Sequence, residues 1–181
     1  TWLAGEDVVT PGTPGDAKRY FADPTRDGQS PDHYDDLYTG NQDNGGVHTN
    51  CGIANLAFYL MSEGGEHPNR ASRSVVGIGL EDANTIWYRA LVTYMTSRTN
   101  FSGGRRATSQ AAGDRHGEDS AQVLAVGDAW AAVGVGDYLT VEEEPEDTGE
   151  PPVEDTGEPP VDDPIDEGGL CDGYTELYQG S

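Results

Sequence analysis

"QDNGGVHTNCGIANLAFYLMSEGG", residues 42–65, decides the fold of this chain. Its first part is polar and glycine-rich. Its second part carries apolar residues at helical spacing. Ile53, Leu56, Ala57, Leu60 and Met61 share one face of a helix expected from about Asn50 to Ser62. Gly64 and Gly65 end it, because glycine adopts the left-handed conformation that closes a helix. Asp43 and His48 stand just before that helix, with Gly45 and Gly46 between them. The glycines permit positive φ and close backbone approach. An isolated carboxylate and imidazole at such a place more often form only a helix start. The alternative is that the turn holds the imidazole at a fixed place in a cleft.

Three further helices follow downstream. One is expected from about Asp82 to Thr96, with Ile86, Trp87, Ala90, Leu91, Tyr94 and Met95 as its apolar stripe. Another, from about Gly103 to Arg115, is weaker. Ala107, Ala111 and Ala112 offer little apolar area, and Gly103-Gly104 loosen its start. The last begins near Ser120, a good N-cap, buries Val123, Gly127, Trp130 and Ala131, and ends around Val133-Gly134. Short connections between four helices predict one mainly α domain. Upstream, residues 1–48 read as irregular, punctuated by "TPGTPGD" and "DPTRDGQSPDH". A loop region that long is functional or tied down, for instance by ions.

The 181 residues carry a net charge of −23, unevenly spread. All ten Lys and Arg lie within residues 1–141, against 18 Asp and Glu, whereas residues 142–167 hold 13 acidic groups and no basic one. No basic face for nucleic acid is present. No stretch approaches the ~20 apolar residues of a membrane span. "EDTGEPPV" occurs twice in tandem, at 146–153 and 154–161. Proline, glycine and acid cannot bury enough apolar surface to offset chain entropy, so residues 137–169 are expected to be a disordered acidic linker. Residues 170–181, "LCDGYTELYQGS", read as the truncated start of a further, β-type domain. Cys51 and Cys171 form no framework or zinc knuckle; Cys51 reads as a small buried residue of the first helix. The chain begins at Thr1 and is expected to be a fragment of a longer protein.

Taken together, "YTGNQDNGGVHTNCGIANLAFYLMSEGGEH", "SVVGIGLEDANTIWYRALVTYMT", "NFS" and "AWAAVGV", with the upstream "GEDVVTPGTPGDAKRYFADP", resemble the C-terminal half of thermolysin-like zinc metallopeptidases. The resemblance covers about residues 1–136, and its motifs recur in order. It implies a four-to-five-helix C-terminal lobe preceded by a long ion-stabilised loop region. It implies a secreted endopeptidase in which zinc activates a water for attack on a peptide carbonyl. In that scheme His48 donates to the developing oxyanion, Asp43 orients its ring, and Arg19 binds the substrate carbonyl on the primed side. The chemistry suits these residue types. A fixed cationic donor stabilises a tetrahedral oxyanion more than a planar carbonyl, and a neighbouring carboxylate favours a charged imidazole.

The family's zinc ligands, an H-E-x-x-H helix and a later glutamate, have no counterpart here, so zinc is expected on the N-terminal lobe of the parent chain and the fragment alone is expected to be inactive. His33, His67 and His116 lack ligand spacing and read as surface residues. Calcium is the second implied cofactor. The carbonyls of Val9 and Thr13, the carbonyl and hydroxyl of Thr10, and the Asp16 carboxylate would form one site; Glu6 would join another. Thr1 and Leu3 stand where thermolysin itself has acidic ligands, which favours a single ion. Asp16 also reads as a simple turn cap. Lys18 replaces an apolar residue of the primed-side pocket, and Cys51 replaces a serine. Gly104, Ser109 and Arg115 replace larger apolar residues, so the third of the four helices is expected to pack less firmly. The competing readings are a non-catalytic helical interaction module tethered by the acidic linker and, from the acidic repeat alone, a calcium-dependent scaffold.

Overall fold

A computed structural model describes residues 1–140. Of the linker expected at 137–169, residues 137–140 are described, with Leu139 and Thr140 bonded to Asp128; its remainder and the segment expected at 170–181 lie outside the described residues. The element order is β1 (Leu3–Ala4), α1 (Glu6–Val9), β2 (Arg19–Tyr20), two 3-10 turns at Pro24–Asp27 and Tyr34–Asp36, then α2 (Asp43–Glu63), α3 (Leu80–Thr93), α4 (Phe101–His116) and α5 (Ala121–Ala132). Strands β1 and β2 pair antiparallel, Leu3 opposite Tyr20 and Ala4 opposite Arg19.

The four long helices pack around one core. Ile53, Leu56, Ala57, Leu60 and Met61 of α2 are all fully buried, as their spacing requires. Helix α5 sits deepest. Seven of its last eight residues would read as apolar or small, and the eighth, Asp128, is buried as well. Its carboxylate accepts from the backbone N–H of Leu139 at 2.6 Å and from the Thr140 hydroxyl at 2.6 Å, which closes the chain over the helix. A buried charge is tolerated only with such partners. Trp130 stacks on Trp87 with centroids 5.6 Å apart, and its indole N–H donates to the Thr108 hydroxyl at 2.9 Å.

Helix α4 differs from expectation. Its small residues are a packing device, not a weakness. Gly104 lies against the Trp130 ring, where an added Cβ would make ordinary contact at 3.6 Å, and Ala107, Thr108, Ala111 and Ala112 are buried. Small side chains let α4 approach α3 and α5 closely. Two other readings are corrected. Leu91, placed in the apolar stripe of α3, is 62% exposed, because no described element covers that face. Helix α3 also stops at Thr93, three residues short, with Tyr94 as its C-cap.

The first 48 residues are irregular but anchored. Trp2 and Phe21, flanking the β1–β2 pair, seat on Phe58 and Tyr59 of α2 through edge-on aromatic contacts of 5.2–6.4 Å. Such contacts add to the area they bury. Asp27 binds the backbone N–H groups of Gln29 and Ser30 and the Ser30 hydroxyl. The hairpin carrying Arg19 is thereby fixed against the helix carrying His48.

Candidate active site

The opening turn of α2 is left-handed over four consecutive residues. Asp43 and Asn44 have φ of 51° and 50°, and Gly45 and Gly46 have φ of 84° and 80°. L-residues adopt this region reluctantly, Asn and Asp least so, and normally one at a time. The right-handed helix starts after Gly46, three residues earlier than the spacing of apolar residues indicated. Asp43 spans the junction. One carboxylate oxygen accepts from the backbone N–H of His48 at 2.7 Å, and the other lies 2.6 Å from the His48 Nδ1. The same carboxylate therefore caps the helix and holds the ring. The hydrogen bonds from the His48 ring and backbone keep the Asp43 carboxyl below the usual carboxylate range.

His48 is 78% exposed, with its ring reaching into a cleft of about 450 Å³ whose walls include Lys18, Arg19, Gln29, Tyr38 and Asp43. Arg19 stands across from it. Its guanidinium donates to the His48 carbonyl at 2.7 Å, to the Lys18 carbonyl at 3.1 Å and to Asp27 at 3.4 Å. Five N–H groups are available on a guanidinium, so donor capacity remains for a ligand. Burial pushes the Asp27 carboxyl up, but hydrogen bonds from Ser30 and Gln29 and the Arg19 charge outweigh it and hold the group below its ordinary value. The structure thus brings Arg19, Asp43 and His48 to one cleft.

Two residues of this site carry no signal in the sequence. Asn50, buried in α2, accepts from the Tyr38 N–H at 2.9 Å and donates to the Tyr38 carbonyl at 2.9 Å and the Gly45 carbonyl at 3.2 Å. Tyr38 lies across Gly46 and also lines the cleft. Only the side-chain chemistry of Asn50, two residues after His48, hints at this. Cys51 is half-buried, not buried; its thiol donates to the His48 carbonyl one turn back along α2 at 3.0 Å, and it lines the apolar groove beside Trp87 and Phe101 rather than the His48 cleft.

The histidines read as surface residues are not on the surface. The His67 side chain is fully buried, its Nε2 donating to the Asp32 carbonyl at 3.2 Å while Nδ1 accepts from the Asn69 N–H at 3.1 Å. His33 packs against it at 5.9 Å and against Gly134. Burial and the nearby Arg70 charge push the His33 pKa down. His116 is mostly buried beside Asp82, 3.8 Å away. Among the described residues no three His, Cys, Asp or Glu side chains converge on one point.

The expected calcium residues are partly brought together. Thr10, Thr13 and Asp16 lie on one pair of turns, with Thr13 N–H on the Thr10 carbonyl at 2.9 Å and Asp16 N–H on the Thr13 carbonyl at 3.2 Å. The Asp16 carboxylate accepts from the Thr10 and Tyr20 hydroxyls, each at 2.8 Å, and these hydrogen bonds, Thr10 first, lower its pKa. It caps the turn, and the all-oxygen donor set also suits a hard cation. Val9 ends α1 next to this turn, whereas Glu6 opens α1 and bonds to the Thr1 hydroxyl at 2.8 Å instead.

Comparison with known proteins gives the family of the fold. The profile of the family described as "Thermolysin metallopeptidase, alpha-helical domain" matches residues 1–135. Bacillolysin of Bacillus caldolyticus is 53% identical over 134 residues, which is 74% of this chain and 24% of that protein. Thermolysin of Alicyclobacillus acidocaldarius subsp. acidocaldarius matches at the same identity and coverage. The chain spans about a quarter of the length of these curated relatives. Among solved structures, the precursor of protealysin, a metalloproteinase from Serratia proteamaculans, matches with a TM-score of 0.54 and 31% identity, covering 75% of this chain and 41% of that one. The chain belongs to the thermolysin metallopeptidase family, within which residues 1–135 are the alpha-helical domain.

Proposed function

We propose that this chain is the helical lobe of a secreted zinc endopeptidase, in which His48, oriented by Asp43, stabilises the tetrahedral oxyanion of peptide hydrolysis and Arg19 binds the substrate carbonyl on the primed side. The observation that carries the reading is the double grip of Asp43 on His48, on the backbone N–H at 2.7 Å and on Nδ1 at 2.6 Å. A ring held by Nδ1 has its orientation fixed and presents Nε2 to the cleft. When the imidazole is cationic, Nε2–H is a charged donor to an oxygen gaining negative charge. Such a preorganised donor acts mainly in the transition state. Asp43 remains an anion throughout and stabilises the cationic ring.

Arg19 acts before that step. It reaches the cleft from the hairpin and is braced by Asp27 and the His48 carbonyl, so its planar fork meets a substrate carbonyl at low entropic cost. No residue of this chain is assigned to zinc; its ligands belong to the N-terminal zinc-binding lobe of the parent. When bound there, the metal supplies an activated water as nucleophile. Thr10, Thr13, Asp16 and Val9 would hold calcium, which supplies cross-linking of the loop and no chemistry. Peptides and proteins are the substrates; no helix of the described residues is long and apolar enough to cross a membrane.

The test uses the full-length protein. Peptide hydrolysis is measured before and after removal of zinc with a chelator, and again after zinc is restored. Loss and recovery of cleavage support the proposal. A folded, zinc-loaded protein that cleaves nothing supports instead a non-catalytic helical module.

A further inference from the structure

Four successive left-handed residues are costly to hold, since two of them are not glycine, and the turn's own bonds are only the Gly45 and Gly46 N–H groups donating to the Gln42 carbonyl at 3.0 and 2.9 Å. A turn of Asp, Asn and two glycines has many conformations open to it, and most of them carry Asp43 away from His48. Asp43 cannot be the sole restraint, since its two oxygens hold only the far side of the turn. The near side is held by Asn50. Both of its amide hydrogens and its oxygen are committed: Nδ2 donates to the carbonyls of Tyr38 and Gly45, and Oδ1 accepts from the Tyr38 N–H. One buried amide thus ties the peak of the turn to the backbone of Tyr38, twelve residues upstream of Asn50. Tyr38 completes the tie. Its ring occupies the space over Gly46, where a Cβ would lie 2.5 Å from Cδ1, and its hydroxyl accepts from the Gln42 N–H at 3.3 Å.

We propose that Asn50, working through Tyr38 and Gly45, is a positioning residue that locks the left-handed turn and thereby fixes the Asp43–His48 pair for transition-state stabilisation. The inference rests on the role proposed above for that pair. Asn50 touches neither the imidazole nor the cleft. Its effect passes through the backbone of residues 43–46, whose conformation sets where the Asp43 carboxylate meets the ring. Displacing a reacting group by about 1 Å from productive geometry can lower turnover on the order of a hundredfold.

The experiment uses full-length protein labelled with 15N-histidine, in wild type, Asn50→Ala and Asn50→Asp forms. Asn50→Asp keeps the shape and the oxygen but cannot donate to the Gly45 and Tyr38 carbonyls, so it preserves a testable protein if Asn50→Ala fails to fold. Two readouts are taken: the proton resonance of the His48 Nδ1–H, which a short bond to a carboxylate moves far downfield, and kcat against KM for a peptide. The expected result is loss of that resonance in a folded variant, with kcat down between about tenfold and a hundredfold and KM within about twofold. A retained resonance with unchanged kcat overturns the proposal. If wild type shows the resonance but cleaves nothing, the peptidase reading fails; the resonance in the variants still decides whether Asn50 positions the pair.

Discussion

Gly45 and Gly46 separate backbone strain from steric exclusion at adjacent positions. Both have strongly positive φ, 84° and 80°. A Cβ on Gly45 meets nothing within 4 Å, whereas one on Gly46 would lie 2.5 Å from Tyr38 Cδ1 and 3.0 Å from Asn50 Nδ2. Gly45→Ala therefore carries only the left-handed penalty, about 1–2 kcal/mol. Gly46→Ala carries the same penalty plus overpacking of about 1–3 kcal/mol, since Asn50 holds the Tyr38 backbone and the Gln42 N–H donates to the Tyr38 hydroxyl, which leaves the ring little room to move. The gain from restricting the unfolded chain, about 0.4–1 kcal/mol for each, cancels in the comparison. Gly46→Ala is thus expected to be the less stable by about 1–3 kcal/mol. Urea unfolding of the full-length protein, followed by tryptophan emission, measures the gap from the two midpoints at equal m-values. Equal midpoints, or Gly45→Ala the weaker, would refute the claim that Tyr38 and Asn50 enclose the turn.

Three other perturbations have expected outcomes. Lys18 lines the cleft beside Arg19 and His48, so Lys18→Leu is expected to raise kcat/KM for peptides with leucine after the scissile bond relative to glutamate, by about tenfold, read from a matched peptide pair. Asp16→Asn removes the charge that a calcium ion would need, so the melting temperature of the variant should no longer fall when calcium is chelated, while that of wild type should. The folded-state pKa of His33 is lowered, so its neutral form is favoured by folding; that stability is present above the unfolded value near 6.5 and is lost as pH falls below it. His33→Gln should flatten the decline in melting temperature on going from about pH 7 to pH 5.

The helices were legible because their apolar residues recur at the period that one packed face requires, as Ile53, Leu56 and Leu60 do. Helix α5 was harder. The expected buried set was Val123, Gly127, Trp130 and Ala131, but every residue from 125 to 132 is buried while Val123 is only half-buried, and the partners that make Asp128 tolerable lie eleven and twelve residues away. His67 was misread for the same reason. Its flanks are polar, but Asp32, whose backbone carbonyl accepts from its ring N–H, is 35 residues upstream. Within the cleft, Asp43, His48 and Arg19 were found from family resemblance, not from their spacing. The start of the right-handed helix precedes the expected Asn50 because Val47, His48 and Thr49 add nothing to the apolar stripe, yet the left-handed turn merges directly into the helix through them. Asn50 and Tyr38 were invisible, since a side chain bonded to distant backbone leaves no period to detect.

The central claim is that His48, held by Asp43, acts on the transition state. The direct measurement is kcat and KM of full-length His48→Ala against wild type on one peptide, with zinc content matched. A fall in kcat of roughly 10²–10³ with KM little changed is the expected result. A variant that keeps wild-type kcat, while wild type remains sensitive to zinc chelation, contradicts it.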